Sequence, residues 1–292
     1  MTDLLARYRS RMLDERHRAL CEDVLAWALR HCACDRGVGW HASRAFIATT
    51  FEVLCSSAVA TELESRLCAR YILVFLAADD GSAADLAGFG GDLGQYHRAL
   101  LADLTAAGLP PAGVEEAFTD LVASMVTEEQ TDPATLSWAE LRALRYRTVG
   151  VVPYIRCRLA ARRLTFADPE VVTGAIDRSV EHVYLVNDLA SADQPRPGGR
   201  ASLDTVGFLT RRLGSRDAAV AEVLGWLHRA TTEVEAALRA LAATGEPAAT
   251  ALAEILLTLV NGNLDGHRYL VELRYPGAAD RLSKLRYVAP PE

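Results

Sequence analysis

The chain has 292 residues, half of them apolar, with a formal net charge of −7 and a single lysine, Lys284, among its 31 basic residues. That charge disfavours nucleic acid as a partner, and an apolar half at this length permits a sizeable core. The N-terminal MTDLLARYRSRMLDERHR is charged throughout and no apolar run is long enough to span a bilayer, so a cytoplasmic protein without membrane insertion is expected.

Ala, Leu, Arg and Glu dominate and β-branched clusters are few, which predicts an all-α chain. Residues 3–33 carry Leu4, Leu5, Met12, Leu20, Val24, Leu25, Trp27 and Leu29 at helical spacing, followed by a Cys/Gly-rich turn at 34–39. The six cysteines, at 21, 32, 34, 55, 68 and 157, read as reduced core residues; His31, Cys32, Cys34 and His41 fit no common zinc spacing. A second helix covers 41–60 through Phe46, Phe51 and Leu54. A third, 61–78, opens with a Thr61/Glu64 capping-box pattern, becomes apolar nearly all round at 71–78, and stops at Asp79, Asp80 and Gly81. Two carboxylates there face the negative end of the helix dipole, a conflict that a bound cation removes and that an exposed helix stop also relieves.

After a Gly-rich stretch at 86–93, helices are predicted at about 94–107 and 111–130, split by Gly108, Pro110 and Pro111. Residues 138–161 read as one long helix interrupted at Gly150 and Pro153, with Arg142, Arg145 and Arg147 upstream. A guanidinium there can point along the break toward an anion, although a plain kink is the simpler structural reading. A helix at 169–189 ends in a Pro/Gly/Asp loop at 193–204, and further helices follow at 205–213, 216–242 and 247–273. With no internal repeat and no linker, residues 1–292 are expected to form a single-domain α-helical bundle of about ten or more helices, with 193–204 and 276–292 as mobile coverings.

The chemistry concentrates at 181–200, EHVYLVNDLASADQPRPGGR, where Asn187, Asp188 and Ser191 stand at positions that periodicity assigns to core. Asn187 and Ser191 share a helical face at i and i+4 and can offer two neutral oxygens to one hard cation such as Mg²⁺, which keeps waters and substrate phosphates in its other positions. The plain alternative is a fraying helix end at which these side chains satisfy backbone groups.

The order of these features resembles a bacterial class I terpene synthase (terpene cyclase) over nearly the whole chain. In that family a DDxxD or DDxxxD/E motif ends one helix, matched here by Asp79 and Asp80 with Asp85 nearby. Either Asp85 falls one residue late, or Asp80 is the first member and Gly81 replaces the second. RYRTVG, 145–150, matches the Arg-x-x-Thr-x-Gly segment that carries a pyrophosphate-sensing arginine. NDLAS supplies the start of ND-x-x-S-x-x-x-E, with Pro195 at the Glu position, Gln194 before it, and Asp193 and Arg196 as the nearest substitutes. A late Arg-Tyr pair corresponds to Arg274 and Tyr275, with Arg268 and Tyr269 competing, and 262–268 resembles the family's final helix.

The resemblance implies the class I terpenoid synthase fold around a central apolar cavity. It implies about three Mg²⁺ ions, replaceable by Mn²⁺, on Asp79, Asp80, Asp85, Asn187, Ser191 and Asp193, and diphosphate contacts from Arg145, Arg274 and Tyr275. Phe51, Phe75, Val149, Tyr154 and Tyr184 would contact the prenyl chain. The implied activity is ionisation and cyclisation of farnesyl or geranylgeranyl diphosphate to a cyclic terpene with release of pyrophosphate. The alternatives are a prenyltransferase of the same fold and a non-catalytic or weakly active binding protein; a homodimer is compatible with each.

Overall fold

The structure, a computed structural model, describes residues 4–32, 36–81, 85–86, 88–194 and 203–291. Among them every regular element is a helix, in keeping with the composition, and none is long and apolar enough to cross a membrane. The chain divides into two compact units, Met1–Glu129 with Val152–Leu164, and Gln130–Val151 with Thr165–Glu292.

The first unit contains a 3₁₀ turn (Ala6–Arg11) and helices α1 (Glu15–His31), α2 (Val38–Cys55), α3 (Glu62–Asp79), α4 (Gly91–Ala106) and α5 (Ala112–Gln130). α6 (Trp138–Thr148) belongs to the second unit, and α7 (Val151–Arg162) returns to the first. α1 starts at Asp14, whose carboxylate accepts the His17 N–H at 2.7 Å and separates it from the preceding turn. α1 packs on α2, α2 on α3 and α3 on α4, burying Trp27, Phe46, Tyr71 and Tyr96. Each such ring contributes on the order of 2 kcal/mol.

The capping box predicted at Thr61 forms by half. Thr61 accepts the Glu64 N–H at 3.1 Å, but the Glu64 carboxylate turns inward to Arg158 at 2.6 Å and Arg162 at 2.9 Å. One buried and one half-buried guanidinium offer that carboxylate stronger, charge-assisted bonds than a helix-end amide would. Arg158 also binds Glu52 at 2.9 Å, and Tyr154 donates its hydroxyl to Glu52 at 2.9 Å, so α2, α3 and α7 are tied by a fully buried ionic network. Cys21, Cys55, Cys68 and Cys157 are buried free thiols as expected; Cys34, and with it any zinc reading, lies outside the described residues.

The break in the 138–161 pattern falls at Val149 and Gly150, and Gly150 has φ +76°, a left-handed conformation that only glycine adopts without cost. Pro153 does not break anything. It occupies the first turn of α7, where its missing N–H would have no intrahelical acceptor.

In the second unit α8 (Pro169–Ser191) is the hub, packed against α6, α9 (Thr205–Leu213), α10 (Arg216–Ala243) and α11 (Pro247–Tyr269). Asp168 caps it, accepting from the Glu170 and Val171 amides, with Pro169 in the first turn. The helix predicted over 247–273 divides at Leu270 into α11 and a short α12 (Val271–Arg274), and α13 (Ala279–Ser283) follows. The C-terminal stretch, expected to be a loose covering, is held by its partners. The Asn261 amide pairs with both the N–H and the C=O of Val288 at 2.9 and 3.0 Å, and Tyr287 donates to Asp265 at 2.5 Å.

Candidate functional site

Asp79 and Asp80 terminate α3 as the sequence predicts, and both are exposed. The charge conflict at Asp80 is relieved within the protein: Arg44 Nε donates to its carboxylate at 2.5 Å and Trp40 Nε1 at 3.0 Å. Asp85 stays close, since a Cβ placed on Gly81 would lie 3.7 Å from the Asp85 Cβ. Phe51 and Phe75 are half-buried in the same unit, whereas Tyr154 is buried with its hydroxyl committed to Glu52 and Arg158. Burial drives the Tyr154 phenol well above its ordinary pKa, so it is a neutral network member.

In the second unit two of the sequence motifs meet. Arg145, on the last turns of α6, sends Nη2 to Asp188 Oδ1 at 2.5 Å and Nε to the same oxygen at 3.1 Å, while Nη1 reaches Thr148 Oγ1 at 3.2 Å. Asp188 is fully buried, and its second oxygen accepts the Thr205 N–H at 2.8 Å and the Thr205 hydroxyl at 2.7 Å. The α8 segment therefore uses its carboxylate to hold the arginine, leaving Asn187 and Ser191 half-buried on another face. Ser191 donates its hydroxyl to the Asn187 carbonyl at 2.8 Å, which leaves its lone pairs for an acceptor role. Val149 is buried as the residue that ends α6, and its N–H bonds to the Arg145 carbonyl. The Tyr184 ring is buried in α8 with its hydroxyl 3.4 Å from Glu181, and burial raises its phenol pKa.

Asp193, just past α8, is bound by two guanidiniums, Arg216 Nη2 on Oδ1 and Arg281 Nη1 on Oδ2, the latter at 2.5 Å. As a metal ligand it would first have to leave both. Pro195 and Arg196, the other positions of that motif, lie outside the described residues.

The competing Arg-Tyr pairs differ in occupation. Arg268 donates to the carbonyls of Leu282 and Leu285 at 3.0 and 2.8 Å and lies 5.0 Å from the Tyr287 ring centroid, an anchor for the C-terminus. Tyr275 is buried and stacked on His267 at 4.8 Å, with the Arg274 guanidinium 5.7 Å from its own ring centroid. Burial, with help from Arg274, pushes the His267 pKa down to about 4.

Sequence reasoning missed Trp40, Arg44, Thr205, Arg216 and Arg281. Their partners lie 17 to 92 positions away, so no local spacing marks them. Among the described residues no group of three or more His, Cys, Asp or Glu side chains is placed to hold a metal ion.

No protein-family model matches the chain, and no curated protein matches its sequence. Solved structures do match its fold. An SVS_A2 protein from ancestral sequence reconstruction is 15% identical with TM-score 0.68, over 95% of this chain and 89% of that one. The 2-methylisoborneol synthase of Streptomyces coelicolor A3(2) is 16% identical with TM-score 0.67, over 90% and 92%. A cucumene synthase variant is 18% identical with TM-score 0.66, over 87% and 95%. The chain has the all-α class I terpene synthase fold.

Proposed function

We propose that this chain ionises a linear prenyl diphosphate, farnesyl or geranylgeranyl, and cyclises the resulting cation, releasing pyrophosphate. The observation that carries the reading is the joining of Arg145 and the NDLAS segment through Asp188. The segment matching the pyrophosphate-sensing arginine and the segment matching the second metal motif are thereby tied by a buried ion pair. Residues 1–292 act here as one catalytic domain.

The fit to a hard divalent ion rests on the donor set. Ser191 has lone pairs free, and among the described residues the Asn187 side chain makes no hydrogen bond. In the first unit Asp79, Asp80 and Asp85 offer carboxylates, and in the second Asp193 becomes a ligand once its arginines are drawn away. Bound Mg²⁺ would neutralise the charge developing on the departing diphosphate. The scarcity of protein carboxylates suits an ion that completes its shell with substrate phosphate and water.

Arg145, Arg274 and Tyr275 would bind the diphosphate oxygens and stabilise the leaving group. Held by Asp188 and Thr148, the Arg145 guanidinium is oriented before substrate arrives, so less of the binding free energy goes into ordering it. Phe51, Phe75, Val149 and Tyr184 would contact the prenyl chain, aromatic faces stabilising positive charge along it. Tyr154, locked to Glu52, is the least suited of the five.

The test is incubation of the purified protein with Mg²⁺ and geranyl, farnesyl or geranylgeranyl diphosphate, followed by gas chromatography and a pyrophosphate assay. A cyclic hydrocarbon or alcohol is expected from at least one; no product and no pyrophosphate from any would end the proposal. The pairing of Asp80 and Asp193 with arginines favours a second reading, a binding protein that has lost its metal. Mg²⁺ and pyrophosphate would then fail to bind cooperatively in a calorimetric titration.

A further inference from the structure

The end of α8 carries more cationic hydrogen-bonding capacity than its structural duties use. Arg281 Nε donates to the Leu189 carbonyl at 3.1 Å and Arg216 Nη2 to the Ala192 carbonyl at 2.7 Å, so each guanidinium caps the negative end of the helix. Both also hold Asp193. Two guanidiniums around one carboxylate leave a surplus positive charge. Arg281 Nη2 is buried and, among the described residues, has no hydrogen-bond partner. A buried guanidinium N–H without an acceptor is costly, and an incoming oxygen would satisfy it.

Asp193 is a weak occupant of this position. Its side chain and that of Arg216 are 40% and 44% exposed, and a solvated pair of this kind contributes little to stability. As a carboxylate beyond a helix C-terminus it is also opposed by the dipole. An anion with more charge and more oxygens would displace it. The Leu189 carbonyl that Arg281 caps lies between Asn187 and Ser191 in sequence, in the last turn of α8.

We propose that Arg216 and Arg281 form a receptor for a diphosphate group, in which Asp193 is a built-in stand-in for the ligand. The identification of the anion as a diphosphate rests on the prenyl diphosphate reading; the receptor itself rests on the geometry. Binding exchanges one anion for another: the guanidiniums transfer to the diphosphate oxygens and the Asp193 carboxylate is released.

The experiment is calorimetric titration of the full chain with inorganic pyrophosphate, in the absence of divalent metal, with orthophosphate as a parallel arm. Asp193→Asn removes the competing charge and tightens pyrophosphate binding about fivefold. Arg216→Gln and Arg281→Gln each weaken it by about tenfold. Orthophosphate, with fewer oxygens, binds less tightly than pyrophosphate and gains less from Asp193→Asn. If Asp193→Asn leaves pyrophosphate affinity unchanged or lower, the receptor is wrong. Arginines that only cap the helix would lower the thermal midpoint when replaced without moving pyrophosphate affinity, which also overturns it; Arg216, being exposed, keeps this arm interpretable should Arg281→Gln misfold. A chain that forms no terpene but shows the Asp193→Asn gain would refute the proposed reaction and leave the receptor standing.

Discussion

Asp188 stands inside the segment assigned to metal binding, yet both of its oxygens face protein donors, Arg145 on one and Thr205 on the other. Its first duty is therefore to neutralise a buried guanidinium. Removing one partner of a buried pair leaves the other charge without compensation, at a cost of about 3–5 kcal/mol. Asp188→Ala should lower stability by that amount in urea unfolding, whereas Thr205→Val, which removes one neutral donor, should cost about 1 kcal/mol. Equal, small effects from both would show that the carboxylate is not the counter-ion of Arg145. The same logic at Asp80 sets Arg44 against any incoming cation. Arg44→Gln should tighten Mg²⁺ binding to that end of α3, read by titration with pyrophosphate present, because it removes a competing positive charge.

At the scale of elements, the junction between α6 and α7 separates two residues that look alike in sequence as helix breakers. Gly150, at φ +76°, turns the chain; Pro153 fills a first-turn site that needs no N–H. Gly150→Ala should cost about 1–2 kcal/mol, the strain of a left-handed residue with a Cβ, and Pro153→Ala should stay within about 1 kcal/mol of the parent. Thermal unfolding of the two variants decides it, and a Pro153→Ala loss larger than that of Gly150→Ala would reverse the assignment. The helices themselves were legible because their signals are local. Thr61 at the start of α3, Pro169 in the first turn of α8 and the Asp79–Asp80 stop mark boundaries within one turn, and apolar spacing does the rest. The site was legible only as motifs. That Asp188 would face Arg145 across 43 positions, or that Arg281 would reach back 92 positions to Leu189, depends on which helices pack side by side, and no periodicity records it. The one available hint was unread: Glu52 and Arg158 fall among the apolar positions of their helices, and a buried charge needs an opposite partner.

Across the whole molecule, buried titratable groups set how each unit responds to acid. Burial pushes His182 and His267 in the second unit, and His17 in the first, from 6.5 down to about 4. His17 accepts the Leu13 N–H on Nδ1 at 3.1 Å, a bond that protonation would destroy. A histidine with a lowered folded pKa binds fewer protons folded than unfolded, so its stabilisation is complete above about 6.5 and is lost as pH falls toward 4. Glu52 has the opposite sign. Burial raises its carboxyl to about 7 against the pull of Arg158 and Tyr154, so its contribution is complete below about 4.5 and is lost as pH rises through 7. Between pH 6.5 and 4.5 the second unit loses from two histidines, while the first loses from His17 and from His41 and His97, whose pKa burial also lowers, and gains from Glu52. Protection factors measured by amide hydrogen exchange should therefore fall in α8 and α11 over that range, where, among the described residues, no raised carboxyl offsets His182 and His267. His182→Gln should flatten the fall in α8, because the substituted side chain does not titrate. Unchanged protection in α8 and α11 across that range would show that His182 and His267 bind no extra proton on unfolding, and neither would then be a buried neutral group.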